Sequence, residues 1–197
     1  MATVSPMSIS AISLRSAVLG RTSVATNALL VAGGVVVLAL LAQVALPIPG
    51  SPVPVTGQTL GVLLIGTSYG ATLGVTTFIT YLLVGLAGVP VFAGATFGLA
   101  RLTGATGGYL VGMLIASFIV GALAGRKWDQ RISKALVTML LGDVIIFSLG
   151  LFWLHASLGK SWTWTIAAGF TPFVIGEVLK IAIAGTSLPL VWRFVQK

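Results

Sequence analysis

Cysteine is absent from this chain, which excludes disulfides and thiolate metal sites and leaves the redox compartment unreadable. Charge is almost as scarce. Only 7% of the residues are charged and three are acidic, whereas an average soluble domain is roughly 25% charged. So few charges cannot clothe a globule in solvated groups, and the outer surface must face lipid. The constellations of an enzyme are missing as well. No Ser–His–Asp set stands out, and the single histidine, His155, has neither a cysteine nor a neighbouring acid with which to hold a metal. The pattern G-x-x-x-x-G-K-[ST] does not occur, since "SLGKS" at 157–161 lacks the first glycine at the needed spacing. The chain is therefore not expected to be an enzyme or to hold a cofactor, and energy for any transport must come from a partner or a gradient.

What remains is apolar and basic. Hydrophobic residues make up 57% of the chain, the mean hydropathy is +1.10, and the formal net charge is +8. In a soluble protein that charge would suggest nucleic acid. In a membrane protein the question becomes which loops hold it, and no nucleic-acid partner is expected. The first apolar run, 25–46, is longer than a secretory h-region of about 7–15 residues and lacks a convincing cleavage site, so it reads as a spanning helix. Residues 1–24 read as a cytoplasmic tail, frayed or lying on the membrane surface.

Further apolar stretches occur at 57–88, 102–125, 135–158 and 165–192. Arg15 and Arg21 precede the first span, and "RKWDQRISK" at 126–134 supplies four more basic residues, so both segments belong in the cytoplasm. Equal sides require an even number of crossings between them. The 57–88 stretch is therefore two helices, broken near "GTSYG" at 66–70. Two more spans return Arg193 and Lys197 to the inside. The expected architecture is an all-α integral membrane protein, with six spans, both termini cytoplasmic and a single bundle domain over 25–197. Trp128 and Trp192 fall at the inner interface, and Trp162 and Trp164 at the outer one. Glycines inside the spans, among them Gly33, Gly34, Gly74, Gly85, Gly112, Gly121, Gly142 and Gly150, suit close helix packing in lipid.

Two outer segments are not ordinary linkers. "LPIPGSPVPVTGQTL" at 46–60 holds four prolines, making it stiff, extended and suited to a lid or to a plain connector. "GVPVFAGATFGLARLTGATGGYLVG" at 88–112 is too glycine-rich for a span and too apolar for a solvated loop. Irregular backbone at that depth is tolerated where it is buried in protein or lines a cavity. Its glycines, Gly94 among them, would offer backbone groups to a ligand, with Phe92, Phe97 and Tyr109 as apolar walls; a re-entrant packing loop is the alternative.

"PIPGSPVPVTGQTLGVLL", "GVPVFAG", "GATGGYL" and "TPFVIGEVLKIAIA", taken in order from about Gln43 to Ala184, resemble the BioY family. These are the biotin-binding S components of energy-coupling factor (ECF) transporters. The chain departs from the family's common patterns at Gly57, at Ala105, and at Glu177, where the family usually shows Asp. The resemblance implies a six-helix S-component-like bundle in the bacterial plasma membrane and a biotin site opening outward. It also implies partnership with a transmembrane coupling protein and two ATPase subunits.

An ionisable group at the bilayer centre costs about 2.5–3.5 kcal/mol on insertion scales. Glu177 and Lys180, one turn apart, can offset each other or form the polar floor of the biotin pocket. Asp143, the only other acid within a span, is a candidate for the same cavity or for a structural partner. Arg101, in the outer loop, is a candidate to attract the biotin carboxylate or is simply an exposed interfacial arginine. Ala28 and Ala32, spaced four apart beside Gly33 and Gly34, form a small-residue face for a partner helix or for the bundle itself. A solitary biotin carrier, a small channel and an unrelated membrane enzyme are the competing readings.

Overall fold

The computed structural model describes residues 13–20 and 22–196; Arg21 and Lys197, both expected to be cytoplasmic, lie outside the described residues. The chain folds as helices α1 (Leu14–Leu19) and α2 (Val24–Gln43), strands β1 (Ala45–Leu46) and β2 (Val55–Thr56), then α3 (Gln58–Tyr69) and α4 (Ala71–Leu86). A four-residue α5 (Ala100–Thr103) precedes α6 (Gly107–Ala124), α7 (Ile132–Leu158), α8 (Trp162–Gly169) and α9 (Val174–Val195). Among the described residues, four helical segments are long and apolar enough to cross a membrane: α2, α6, α7 and the α8–α9 run. The protein is a multi-pass membrane protein of all-helical construction, with one antiparallel ribbon pairing Ala45 with Thr56 and Leu46 with Val55.

The break in the 57–88 stretch falls at Gly70, whose φ of +84° is a conformation glycine adopts without penalty. Helix α3 spans only about 18 Å at the helical rise of about 1.5 Å per residue. It is short enough to need shielding, and it has it. Gln58, Thr59, Val62 and Leu63 are buried among its neighbours, so the irregular backbone at its ends meets protein rather than lipid. Helix α6 packs along α7 and against α3 and α4, while α9 lies on α7 and touches α3. Of the eight in-span glycines named above, seven sit where an added Cβ would strike a neighbour. Gly33 faces open space.

The apolar run at 165–192 is not one continuous helix. Helix α8 ends at Gly169, a tight turn crosses Thr171–Phe173 with Pro172 inside it, and α9 begins at Val174. The described part of the N-terminal tail is likewise ordered. Ser13 caps α1 with a reciprocal bond to Ser16, and Arg15 Nη1 donates to Asn27 Oδ1 at 2.7 Å.

Arg15, the α3–α4 break and Arg126 meet at one end of the bundle, which also holds the 126–134 link and the last turn of α9; this is the basic end. The ribbon, the 88–103 segment and the α8–α9 turn occupy the opposite, loop end. At the basic end Trp192 is buried, and its Nε1 donates to Asp129 Oδ2 at 2.5 Å. Asp129 is fully buried and, among the described residues, its Oδ1 has no partner. Loss of hydration pushes its carboxyl up to about 6, against the opposing pull of the Trp192 bond. A folded-state value above the unfolded one means that the folded chain holds this proton more tightly. Its contribution to stability is thus greatest at low pH and falls as pH rises from about 4 to about 6. Asp129→Asn keeps an acceptor for Trp192 and removes the titration. In detergent melts the wild type should lose several degrees across that interval that the variant retains; parallel curves would contradict it.

Candidate functional site

The turn before α9 sets the chemistry of the loop end. Because α9 begins at Val174, Glu177 stands in its first turn, where unpaired backbone N–H groups favour a negative charge. Glu177 is 6% exposed. Its Oε2 accepts from Thr59 Oγ1 at 2.8 Å and its Oε1 from Lys180 Nζ at 2.7 Å. Lys180 Nζ also donates to the Thr56 carbonyl at 2.6 Å and to Thr59 Oγ1 at 3.0 Å. Three partners for three ammonium protons leave Lys180 saturated. The pair ties α9 to the β2–α3 corner, and α3 carries Thr59 because Gly57 and Gln58 begin a helix directly after the ribbon.

Above this corner lies a cavity with ≈ 560 Å³ of unfilled space, counting what opens to the exterior. Glu177, Thr59 and Gln58 supply polar wall, and Phe92, Tyr109, Phe147, Phe173 and Met113 supply apolar wall. Val53 and Pro54 of the proline-rich ribbon close over it; Val53 is 4% exposed. Tyr109 is held by its hydroxyl, which donates to the Gly169 carbonyl at 2.8 Å, and its ring stacks on Phe173.

The 88–99 segment is pinned rather than loose. Gln43 Oε1 accepts from Ala95 N at 2.8 Å, and its Nε2 donates to the Phe92 carbonyl at 3.1 Å. Gln58 Nε2 donates to Tyr81 Oη at 2.8 Å, and that hydroxyl donates to the Val91 carbonyl at 3.0 Å. Phe92 lays its ring on Gly85, where a Cβ would come within 2.1 Å of it. Glycine is required there for the loop to seat its aromatic wall.

Four of the residues singled out from sequence therefore share this cavity: Glu177, Phe92, Tyr109 and Arg101. Arg101, on α5, also lines a shallower adjoining depression with Pro52, Phe97 and Ala105, which places it at the mouth. Its guanidinium has no hydrogen bond or ion pair among the described residues. Lys180 lies behind the wall, bonded to Glu177. Asp143 is buried on α7 beside Glu177 and within electrostatic reach of Lys180, but is not on the wall. Gly94, at φ +71°, has open space around it and lies off the wall, which its neighbour Ala93 joins. Phe97 points outward and is 58% exposed. Ala28 and Ala32 sit far from the cavity, exposed on the outer face of α2. Sequence reasoning did not pick out Gln58, Thr59, Phe147 or Phe173. The first two sat in plain view in "VTGQT", whereas the phenylalanines join only when α7 and the α8–α9 turn meet.

Three comparisons bear on this site. The model of the BioY family matches residues 10–197. The biotin transporter BioY2 of Lactococcus lactis subsp. cremoris is 35% identical over 162 residues, covering 81% of this chain and 87% of that protein. The biotin transporter BioY of Thermotoga maritima is 34% identical over 158 residues, covering 79% and 90%. In fold, the chain matches the crystal structure of the S-component for biotin from an ECF-type ABC transporter, with a TM-score of 0.78 and 20% identity. That match covers 88% of this chain and 95% of the other.

Proposed function

The chain belongs to the BioY family, and we propose that it takes up biotin as the substrate-binding S component of an ECF transporter. The observation that carries this reading is the cavity itself: an apolar aromatic chamber with a carboxylate in its wall and an unpartnered guanidinium at its mouth. Biotin is built to match. Its ureido N–H groups meet Glu177 and Thr59, its thioether ring packs among Tyr109, Phe92, Phe147 and Phe173, and its carboxylate reaches Arg101. Glu177 is held ready by Lys180, which spends its protons on positioning the carboxylate and the corner beneath it. Labelled biotin should bind the purified chain in detergent at one per protein. Absence of binding would overturn the reading.

The topology follows the same logic. Helices α2, α3, α4, α6, α7 and the α8–α9 run make six crossings, and the positive-inside rule puts the basic end and both termini in the cytoplasm of a bacterial plasma membrane. The biotin site then opens outward under the ribbon. With no ATPase motif in the chain, ATP hydrolysis belongs to two partner ATPases, reached through a transmembrane coupling protein.

That coupling protein docks on α2. Ala28 and Ala32 are exposed and Gly33 beside them faces open space, whereas Gly34 on the other side packs into the bundle. A face of small side chains that packs against nothing among the described residues suits a partner helix in lipid. Ala28→Leu with Ala32→Leu should leave biotin binding unchanged and reduce recovery of the assembled complex by tenfold or so, at about 1.4 kcal/mol per tenfold. Loss of binding with assembly intact would assign the face to the fold.

A further inference from the structure

At the basic end lies a second cavity, larger than the first, with ≈ 1900 Å³ of unfilled space counting what opens outward. Ser13, Arg15, Asn27, Tyr69 and Arg126 line it, together with the turn at Gly70. Arg15 is held in place by Asn27 and Thr22, yet its Nε is buried without a partner among the described residues. Arg126, at the end of α6, has no hydrogen bond or ion pair through its side chain among the described residues. No acidic side chain of the protein neutralises them. It has three acids in all: Asp129 is buried against Trp192, and Asp143 and Glu177 lie by Lys180. None lines this cavity, and residues 1–12 contain no acid.

Two guanidinium groups facing one cavity, one with a buried N–H unmet, call for an anion from outside the chain. A guanidinium fork matches phosphate oxygens in pairs. The helices that supply Arg15 and Asn27 also carry uncovered apolar side chains: Val18 and Leu19 on α1 and Val24 at the start of α2 are exposed by 59%, 47% and 87%. An ion that carries acyl chains would cover them. We propose that this cavity binds the phosphate headgroup of an anionic phospholipid, held by Arg15 and Arg126. The bound lipid would bridge α1, the α3–α4 turn and the end of α6. The inference rests on the chain's residence in a membrane and is independent of the biotin assignment.

Native mass spectrometry of the full-length, delipidated protein tests it, with dioleoyl phosphatidylglycerol, dioleoyl phosphatidylcholine and inorganic phosphate as separate probes. Phosphatidylglycerol should bind well above phosphatidylcholine, and Arg15→Gln with Arg126→Gln should weaken it roughly twenty-five-fold, at about a fivefold loss for each basic residue removed. Lys160→Gln, at the opposite end, should change nothing. Size-exclusion profile and melting temperature show that the variants fold; if the double variant fails there, Arg126→Gln alone should still lose about fivefold. Equal binding of the two lipids, or undiminished phosphatidylglycerol binding to the folded variants, overturns the proposal. So does saturation by inorganic phosphate with no preference between lipids, which would make this a free-anion site. If the lipids do not discriminate and only assembly with partner subunits shields the arginines from phenylglyoxal, the cavity is a protein-docking surface and the lipid assignment falls.

Discussion

Lys180→Met should abolish most of the folded protein, and adding Glu177→Gln should bring it back. The single change leaves the Glu177 carboxylate buried without its cation, still accepting from Thr59 and beside the acidic Asp143, and leaves the Thr56 carbonyl without its 2.6 Å donor. Breaking one side of a buried ion pair costs about 3–5 kcal/mol, a large part of the roughly 5–15 kcal/mol that holds a typical domain together. Removing both charges leaves two groups of similar volume and neither member of the pair as an orphaned ion, with Asp143 still buried beside them. Yield, monodispersity and melting temperature of the three variants in detergent read this directly. The double variant also separates structure from binding. It should fold and bind biotin more weakly, by about 1.5–3 kcal/mol, because Glu177 reaches the ligand through a charge-assisted hydrogen bond. A folded double variant with full affinity would remove Glu177 from the site. A stable Lys180→Met single variant would show that the corner does not depend on the pair.

Arg101→Gln should weaken biotin binding by about ten- to 150-fold while leaving the fold untouched, the range of about 1.5–3 kcal/mol for a hydrogen bond to a charged group. Nothing in the described chain leans on this guanidinium, so its removal breaks no internal bond. Biotin amide, which lacks the carboxylate charge, makes the result specific. It should compete poorly for the wild type and should hardly distinguish wild type from variant, so that the two ligands converge when Arg101 is gone. If the amide instead competes as well as biotin for the wild type, the carboxylate does not meet Arg101. Lys180 is poorly suited to replace it in that role, because all three of its protons are engaged.

The amino-acid sequence by itself determined the membrane class, the break before α4 and the two segments that roof the cavity. Each rests on a property that acts locally or sums along the chain. Scarce charge forbids a solvated surface, Gly70 permits the turn between α3 and α4, and the four prolines keep the 47–54 stretch out of a helix. Glu177, Phe92, Tyr109 and Arg101 were legible for a similar reason, being polar or aromatic residues in places where lipid or plain packing does not call for them. Tertiary structure decided the rest. Pro172 turns the chain so that Glu177 begins a helix instead of lying mid-span, and the β2–α3 corner then claims every proton of Lys180. Phe147 and Phe173 look in sequence like any lipid-facing aromatic and become cavity wall only where α7 meets that turn. Thr59, an unremarked polar residue in its helix, bonds to both members of a charged pair more than a hundred positions away. Such contacts depend on which helices cross, and periodicity within one helix carries no record of its neighbour.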